Sequence, residues 1–191
     1  GNLSMSESKS LNCYSHHAPK KEWFDQYFEY KNNFLEKHTL GSQMLNFFKR
    51  FLRDAQLMDK DQFTETAQII DNLGLDNLTS WAIILTNLSY TPQINWYITN
   101  LEMNERYSKD YTNSLLIRDG AKESWVNDVW SSFGRFLDLP FNEVGMGIGE
   151  KEKRRFISLQ RTPWVNPDSL AVLYSLYKFA EEWGLNSWEF D

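Results

Sequence analysis

The sequence predicts a mainly α protein: a multi-helix domain with one β-hairpin and a winged-helix-like C-terminal part. Three observations carry that prediction. Apolar residues recur at helical spacing along most of the 191 residues. Helix-starting and helix-stopping residues stand at the ends of those runs. One stretch alone, residues 143–162, loses the helical period, gains glycines and alternates like a strand. With 41% apolar and 24% charged residues the chain is an ordinary globular one, long enough to bury a core without disulfides. Collagen-like, disulfide-scaffold and disordered classes are excluded by the same numbers.

Residues 1–20 are polar and aperiodic and read as a flexible tail. From Lys21 to about His38, Trp23, Phe24, Tyr27, Phe28, Phe34 and Leu35 fall near helical spacing, and Gly41 ends the run. Met44, Phe47, Phe48, Phe51, Leu52 and Ala55 then form the clearest apolar stripe in the chain, with Lys49, Arg50, Arg53 and Asp54 opposite. Asp61 or Thr64 caps a third helix that runs to Leu73, and Gly74 stops it. A fourth, capped by Asp76 or Asn77 and running through Trp81 to Leu88, is nearly all apolar and reads as the buried central helix. Pro92 suits the first turn of a fifth. Residues 100–110 read as a polar loop before a short helix with Leu115, Leu116 and Ile117. Val126, Val129, Trp130, Phe133 and Leu137 line the next helix, which ends before Pro140.

In the hairpin, Glu150 to Lys153 makes the polar tip and Arg155 to Arg161 the second strand. The last helix is read with Asn166 as cap, Pro167 at its first position, and Leu173, Leu176, Tyr177, Ala180 and Trp183 as its core stripe. Residues 21–191 are therefore read as one helical domain. If it divides, the break falls near 100–110, with 120–191 as the winged-helix-like part.

Familiar chemistries find little here. Gly145-Met146-Gly147-Ile148-Gly149-Glu150-Lys151 fits neither glycine-rich phosphate-binding template, and it leads into a charged tip instead of a helix. Cys13, His16 and His17 have metal-ligand character, but no second cluster follows, so no metal or other cofactor is assigned. Asp59-Lys60-Asp61 lacks the glycine and glutamate of a calcium loop. The three histidines all lie in the first 38 residues and no nucleophile elbow exists, so no catalytic residue is assigned. A carboxylate site without a sequence signature is what an enzymatic alternative would need. The single cysteine forms no intramolecular disulfide and suits a reducing compartment. No signal-like start and no 18-residue apolar run is present, and the expectation is cytoplasmic, with no membrane partner.

Charge gives the one positive signal. Lys151, Lys153, Arg154, Arg155 and Arg161 stand against only Glu150 and Glu152, on a chain whose formal net charge is −6. A basic hairpin tip on an acidic body is how a wing approaches phosphate oxygens, so these five are the candidate nucleic-acid contacts, nonspecific and to the backbone. Sequence readout is not supported: Leu78 to Leu88 carries no Lys, Arg or Gln, the helix over 123–137 only Arg135, and the last helix only Lys178. Most tryptophans sit on apolar stripes. Trp164 and Trp188 do not, and are the candidate anchors for a protein partner.

The stretch from Arg161 to Asp168, running into Leu170 to Glu181, resembles a helical, winged-helix-like bacterial family of unknown function. That family accompanies PAPS reductase-like proteins in DNA phosphorothioation and related phage-defence loci. The segments Tyr27 to Phe34 and Phe47 to Leu52 are also similar to parts accompanying those enzymes, so the likeness covers most of the chain after residue 20. It implies an accessory module and not the reductase, since there is no phosphate loop and one cysteine cannot hold an iron–sulfur cluster alone. The expectation is a non-enzymatic accessory domain that binds the DNA backbone through the hairpin or docks on a PAPS reductase-like partner. The alternative is a protein-interaction scaffold with no nucleic-acid contact.

Overall fold

All but one of the largest fully buried side chains are aromatic, the exception being Lys178, so the aromatic content is spent on the interior. The computed structural model describes residues 10–184. Helix α1 (Lys21–Tyr30) places Phe24, Tyr27 and Phe28 inward and ends at Lys31, whose φ of 51° breaks the run. A 3-10 turn (Lys31–Asn33) and short α2 (Phe34–Lys37) follow, so the single helix expected to His38 is two. Helix α3 (Ser42–Asp54) buries Phe48, Phe51 and Leu52, while Met44 at its start stays exposed. Next come the tiny ribbon β1 (Met58–Asp59) and β2 (Gln62–Phe63), too short to leave a period in the sequence.

Helix α4 (Glu65–Leu73) is capped by the Thr64 side chain, which accepts from the Ala67 amide. Helix α5 (Leu78–Leu88) is capped by Asn77 and is buried on nearly every face, as its apolar sequence predicts. Helix α6 (Pro92–Asn100) opens on its proline. The expected loop at 100–110 then differs: β3 (Arg106–Ser108) pairs antiparallel with β5 (Arg155–Gln160), which pairs on its other edge with β4 (Ile148–Glu152). The sheet order is β3-β5-β4. Residues 106–108, expected as part of a polar loop, are thus paired with the hairpin. Between β3 and β4 lie α7 (Lys109–Arg118), α8 (Val126–Phe136) and a 3-10 turn (Pro140–Glu143). Gly134 lets α8 approach β5, because a Cβ there would lie 2.6 Å from the Phe156 ring.

Helix α9 (Ser169–Glu182) corrects two expectations. Its cap is Asp168, which accepts from the Leu170 amide, so Asn166 and Pro167 precede the helix. Its predicted core stripe faces outward: Leu173, Leu176, Tyr177 and Trp183 are exposed, and Ala171 and Lys178 are the buried positions. The fold is mainly helical with two small antiparallel sheets, not purely α.

The predicted tail is also corrected over residues 10–20, with 1–9 lying outside the described residues. Cys13 and Tyr14 are buried, Tyr14 stacks on Phe51 at 4.2 Å, and its amide donates to Gln93 at 2.9 Å. The Tyr14 hydroxyl also donates to the Asp54 carboxylate, tying the segment to α3. Burial pushes the Cys13 thiol up to about 11. At pH 8 that leaves roughly 100-fold less thiolate than an unburied cysteine has. A thiol reagent is therefore expected to modify Cys13 only as the chain unfolds. Fast labelling of the native chain, at the rate of an exposed thiol, would mean that the segment is undocked in solution.

Candidate nucleic-acid interface

The hairpin is aimed by what its base packs against. Phe156 on β5 stacks on Trp130 of α8 at 4.2 Å, and the Trp130 indole N–H donates to the Phe156 carbonyl at 2.9 Å. On the β3 side Arg106 pairs with Glu150, and both meet the Ser158 hydroxyl. These contacts fix the hairpin base and leave the tip free to carry charge. Nothing in the sequence marks Arg106 for this role. A three-residue strand inside a polar stretch gives no alternation long enough to read.

At the tip, Glu152 opposes Arg155, and Lys153-Arg154 is the two-residue turn. Both turn residues have positive φ, 49° and 69°, the pattern of a type I′ turn. Such turns favour Asn-Gly, because a Cβ in the left-handed region costs about 1 kcal/mol per residue. Two long cations stand instead at the least comfortable positions of the hairpin.

The five predicted cations divide into three groups. Lys153, Arg154 and Arg155 are exposed, and among the described residues none of them enters an ion pair. Lys151 is exposed on the flank and pairs with Asp138 at 3.1 Å. Arg161 is only 5% exposed and lies away from the tip: its guanidinium donates to the carbonyls of Gly145, Ile98 and Leu101. Because Arg106 occupies Glu150, the free charge at the tip is the Lys153, Arg154 and Arg155 trio against Glu152. Such a cluster holds phosphate oxygens by point charge and carries no base-reading geometry.

The outward face of α8 is polar and sparse, with Asn127, Ser131 and Arg135. Part of it is covered by the N-terminal segment. The Ser132 hydroxyl donates to the His17 carbonyl at 2.6 Å, and Arg135 donates to the His16 carbonyl at 2.9 Å. A groove of about 730 Å³ opens beside this crossing, lined by His16, His17, Lys20, Trp23, Phe47 and Arg135. Burial and then the neighbouring His16 and Arg135 hold His17 below the usual histidine range. Cys13 is buried in the core. Among the described residues no three His, Cys, Asp or Glu side chains converge as metal ligands.

Trp164 is half-buried and packs on the core, lining a cavity of about 300 Å³ with α5 and α9. Trp188 lies outside the described residues. No helix among them is long and apolar enough to cross a membrane. No family model matches the chain, and no curated protein or solved structure is significantly similar to it.

Proposed function

We propose that this chain is a non-enzymatic accessory domain that grips the DNA backbone through the β4–β5 hairpin, without reading sequence. The observation that carries the reading is the Lys153-Arg154 turn, where charge occupies positions that conformational preference assigns to Asn-Gly. The run α6, β3, α7, α8, β4, β5 with sheet order β3-β5-β4 supports reading residues 92–161 as a winged helix with the tip as its wing. The polar, partly covered face of α8 favours backbone contact over base readout. The resemblance to proteins that accompany PAPS reductase-like enzymes in DNA-modification loci supports a role of delivering DNA to such an enzyme.

The test is binding of a labelled duplex, and of a single strand of equal length, followed by anisotropy at low and moderate salt. Replacing Lys153→Asn together with Arg154→Gly relaxes the turn and removes two charges. The double variant is expected to gain about 1–2 kcal/mol of stability. Its slope of log affinity against log salt is expected to fall by about 2. A more stable variant that binds less cannot be explained by misfolding. Absence of wild-type binding at low salt, or an unchanged slope in the variant, would sink the reading and leave the scaffold alternative. The outward face of α9 is the observation that favours that alternative.

A further inference from the structure

Helix α9 is amphipathic the wrong way round. Its inward face meets α5 through Ala171, Tyr174 and Lys178. The Tyr174 hydroxyl donates to Asn87 at 2.8 Å. Lys178, only 1% exposed, pairs with Glu182 at 2.9 Å and lies over the Tyr90 ring. Burial opposes the charge of Lys178, but Glu182 and Glu181 outweigh it and hold the ammonium above its ordinary value. A helix that uses a lysine for its buried contact needs a reason for what it leaves outside.

What it leaves outside is apolar. At about 100° per residue, Leu170, Tyr177, Leu173, Leu176, Trp183, Val172 and Phe179 cover one unbroken half of the helix. Ala180 and Ser169 lie among them, and Lys178, Glu181 and Glu182 all fall on the other half. Exposure is 62% at Leu173, 60% at Leu176, 66% at Tyr177 and 67% at Trp183. Together the seven large side chains present about 700 Å² of apolar surface, more than an ordinary monomer leaves open and close to what one partner contributes to a stable interface.

We propose that this half of α9 is a self-association surface, on which two copies of the chain pack their α9 helices antiparallel about a two-fold axis near Leu176 and Tyr177. Three features select a second copy in this orientation. The face is graded in size, with aliphatic Leu170, Val172 and Leu173 towards the N-terminal end and aromatic Tyr177, Phe179 and Trp183 towards the other. A two-fold at 176–177 sets Leu170 against Trp183 and Leu173 against Ala180, so large meets smaller on both sides of the axis. It also keeps the two Glu181–Glu182 pairs a helix length apart and near the positive helix starts of the opposite copy, whereas a parallel pair would stack four carboxylates. A self-complementary patch is what an isologous dimer requires. A lipid surface is disfavoured, because no Lys or Arg flanks the apolar arc and the chain is acidic overall.

Sedimentation of the full chain across the micromolar range tests this. The wild type is expected at twice the chain mass. Leu173→Glu with Leu176→Glu is expected to weaken association at least ~100-fold while leaving the circular dichroism and melting temperature of the monomer unchanged, since neither side chain belongs to the core. Orientation is read by single cysteines under mild oxidation. Leu176→Cys, near the axis, cross-links the copies, and Leu170→Cys, which faces Trp183 in the antiparallel pair, does not. A wild type that stays monomeric overturns the proposal, whether the face is then covered by residues 185–191, by lipid or by another protein. A chain ended after Gly184 that dimerises where the full chain does not identifies the first of these. Persistence of the dimer in the double glutamate variant, or efficient cross-linking through Leu170→Cys, overturns it as well.

Discussion

Replacing Arg161→Ala is expected to lower folding stability by about 3–5 kcal/mol. The guanidinium sits inside the protein, and among the described residues no carboxylate pairs with it. Its charge is met by carbonyl oxygens: Nε and Nη2 donate to Gly145 at 3.1 and 2.8 Å, and Nη1 to Ile98 and Leu101 at 3.2 and 2.7 Å. Ile98 and Leu101 belong to the last turn and C-cap of α6, where free carbonyls and the negative end of the helix dipole gather. The Tyr97 ring adds its face 5.5 Å from the guanidinium carbon. Burial lowers the Arg161 pKa from its ordinary value, yet arginine retains its proton, so the interaction is insensitive to pH through the neutral range.

Alanine takes the donor from the buried Leu101 carbonyl and from the part-buried carbonyls of Gly145 and Ile98. Lysine keeps the charge but cannot present the planar fork, and is expected to recover less than half of the loss. Urea denaturation with an unchanged slope is the measurement. An Arg161→Ala variant within 1 kcal/mol of wild type would mean that the guanidinium is not the cap of α6. A lysine variant of wild-type stability would show that charge alone suffices at this position.

Arg161 also shows where sequence reading stops. In the sequence it is one more cation in a basic stretch, indistinguishable from Arg155 six positions earlier. The difference is a carbonyl cluster assembled from α6 and the Gly145 turn, residues 16 to 63 positions away in the chain. No local pattern announces that cluster. The hairpin itself was legible because glycines and alternation are local signals, and so were α3, α4, α5 and α6, whose stripes and caps lie within a few residues of each other.

Helix α9 fails in the opposite way. Its apolar stripe is plain in the sequence, and periodicity alone places it in the core, because a helical stripe is normally the buried one. Periodicity gives the direction of an apolar face and not what covers it. The outward turn of Leu173, Leu176 and Tyr177 follows from the other face, where Tyr174 reaches Asn87 and Lys178 finds Glu182 and Tyr90. Residues 10–20 escaped for a related reason: their anchors are single residues, Cys13 and Tyr14, docked by partners as remote as Gln93. One well-placed tyrosine produces no period.

The second large effect is expected at Gly147→Ala, which should lower stability by about 3 kcal/mol or more. Gly147 has φ of 113°, where a side chain is strained, and a Cβ there would lie 2.3 Å from the Gln160 carbonyl oxygen and 2.8 Å from the Arg161 Cα. Both neighbours are backbone of β5 or its end, so relief means parting the start of β4 from β5. That parting would move the Met146 carbonyl off the Tyr97 hydroxyl, now at 2.6 Å, and the Gly145 carbonyl off Arg161. Gly145 is the internal control. Its φ of 108° is equally unfavourable for a side chain, but a Cβ there would meet only the Met103 methyl at 3.8 Å. Gly145→Ala therefore carries the conformational penalty alone, about 1–2 kcal/mol. Thermal and urea unfolding of the two variants separate backbone preference from collision. Equal losses at both positions would mean that strain alone governs this turn, and that β4 can shift away from β5 without disturbing the Arg161 cluster.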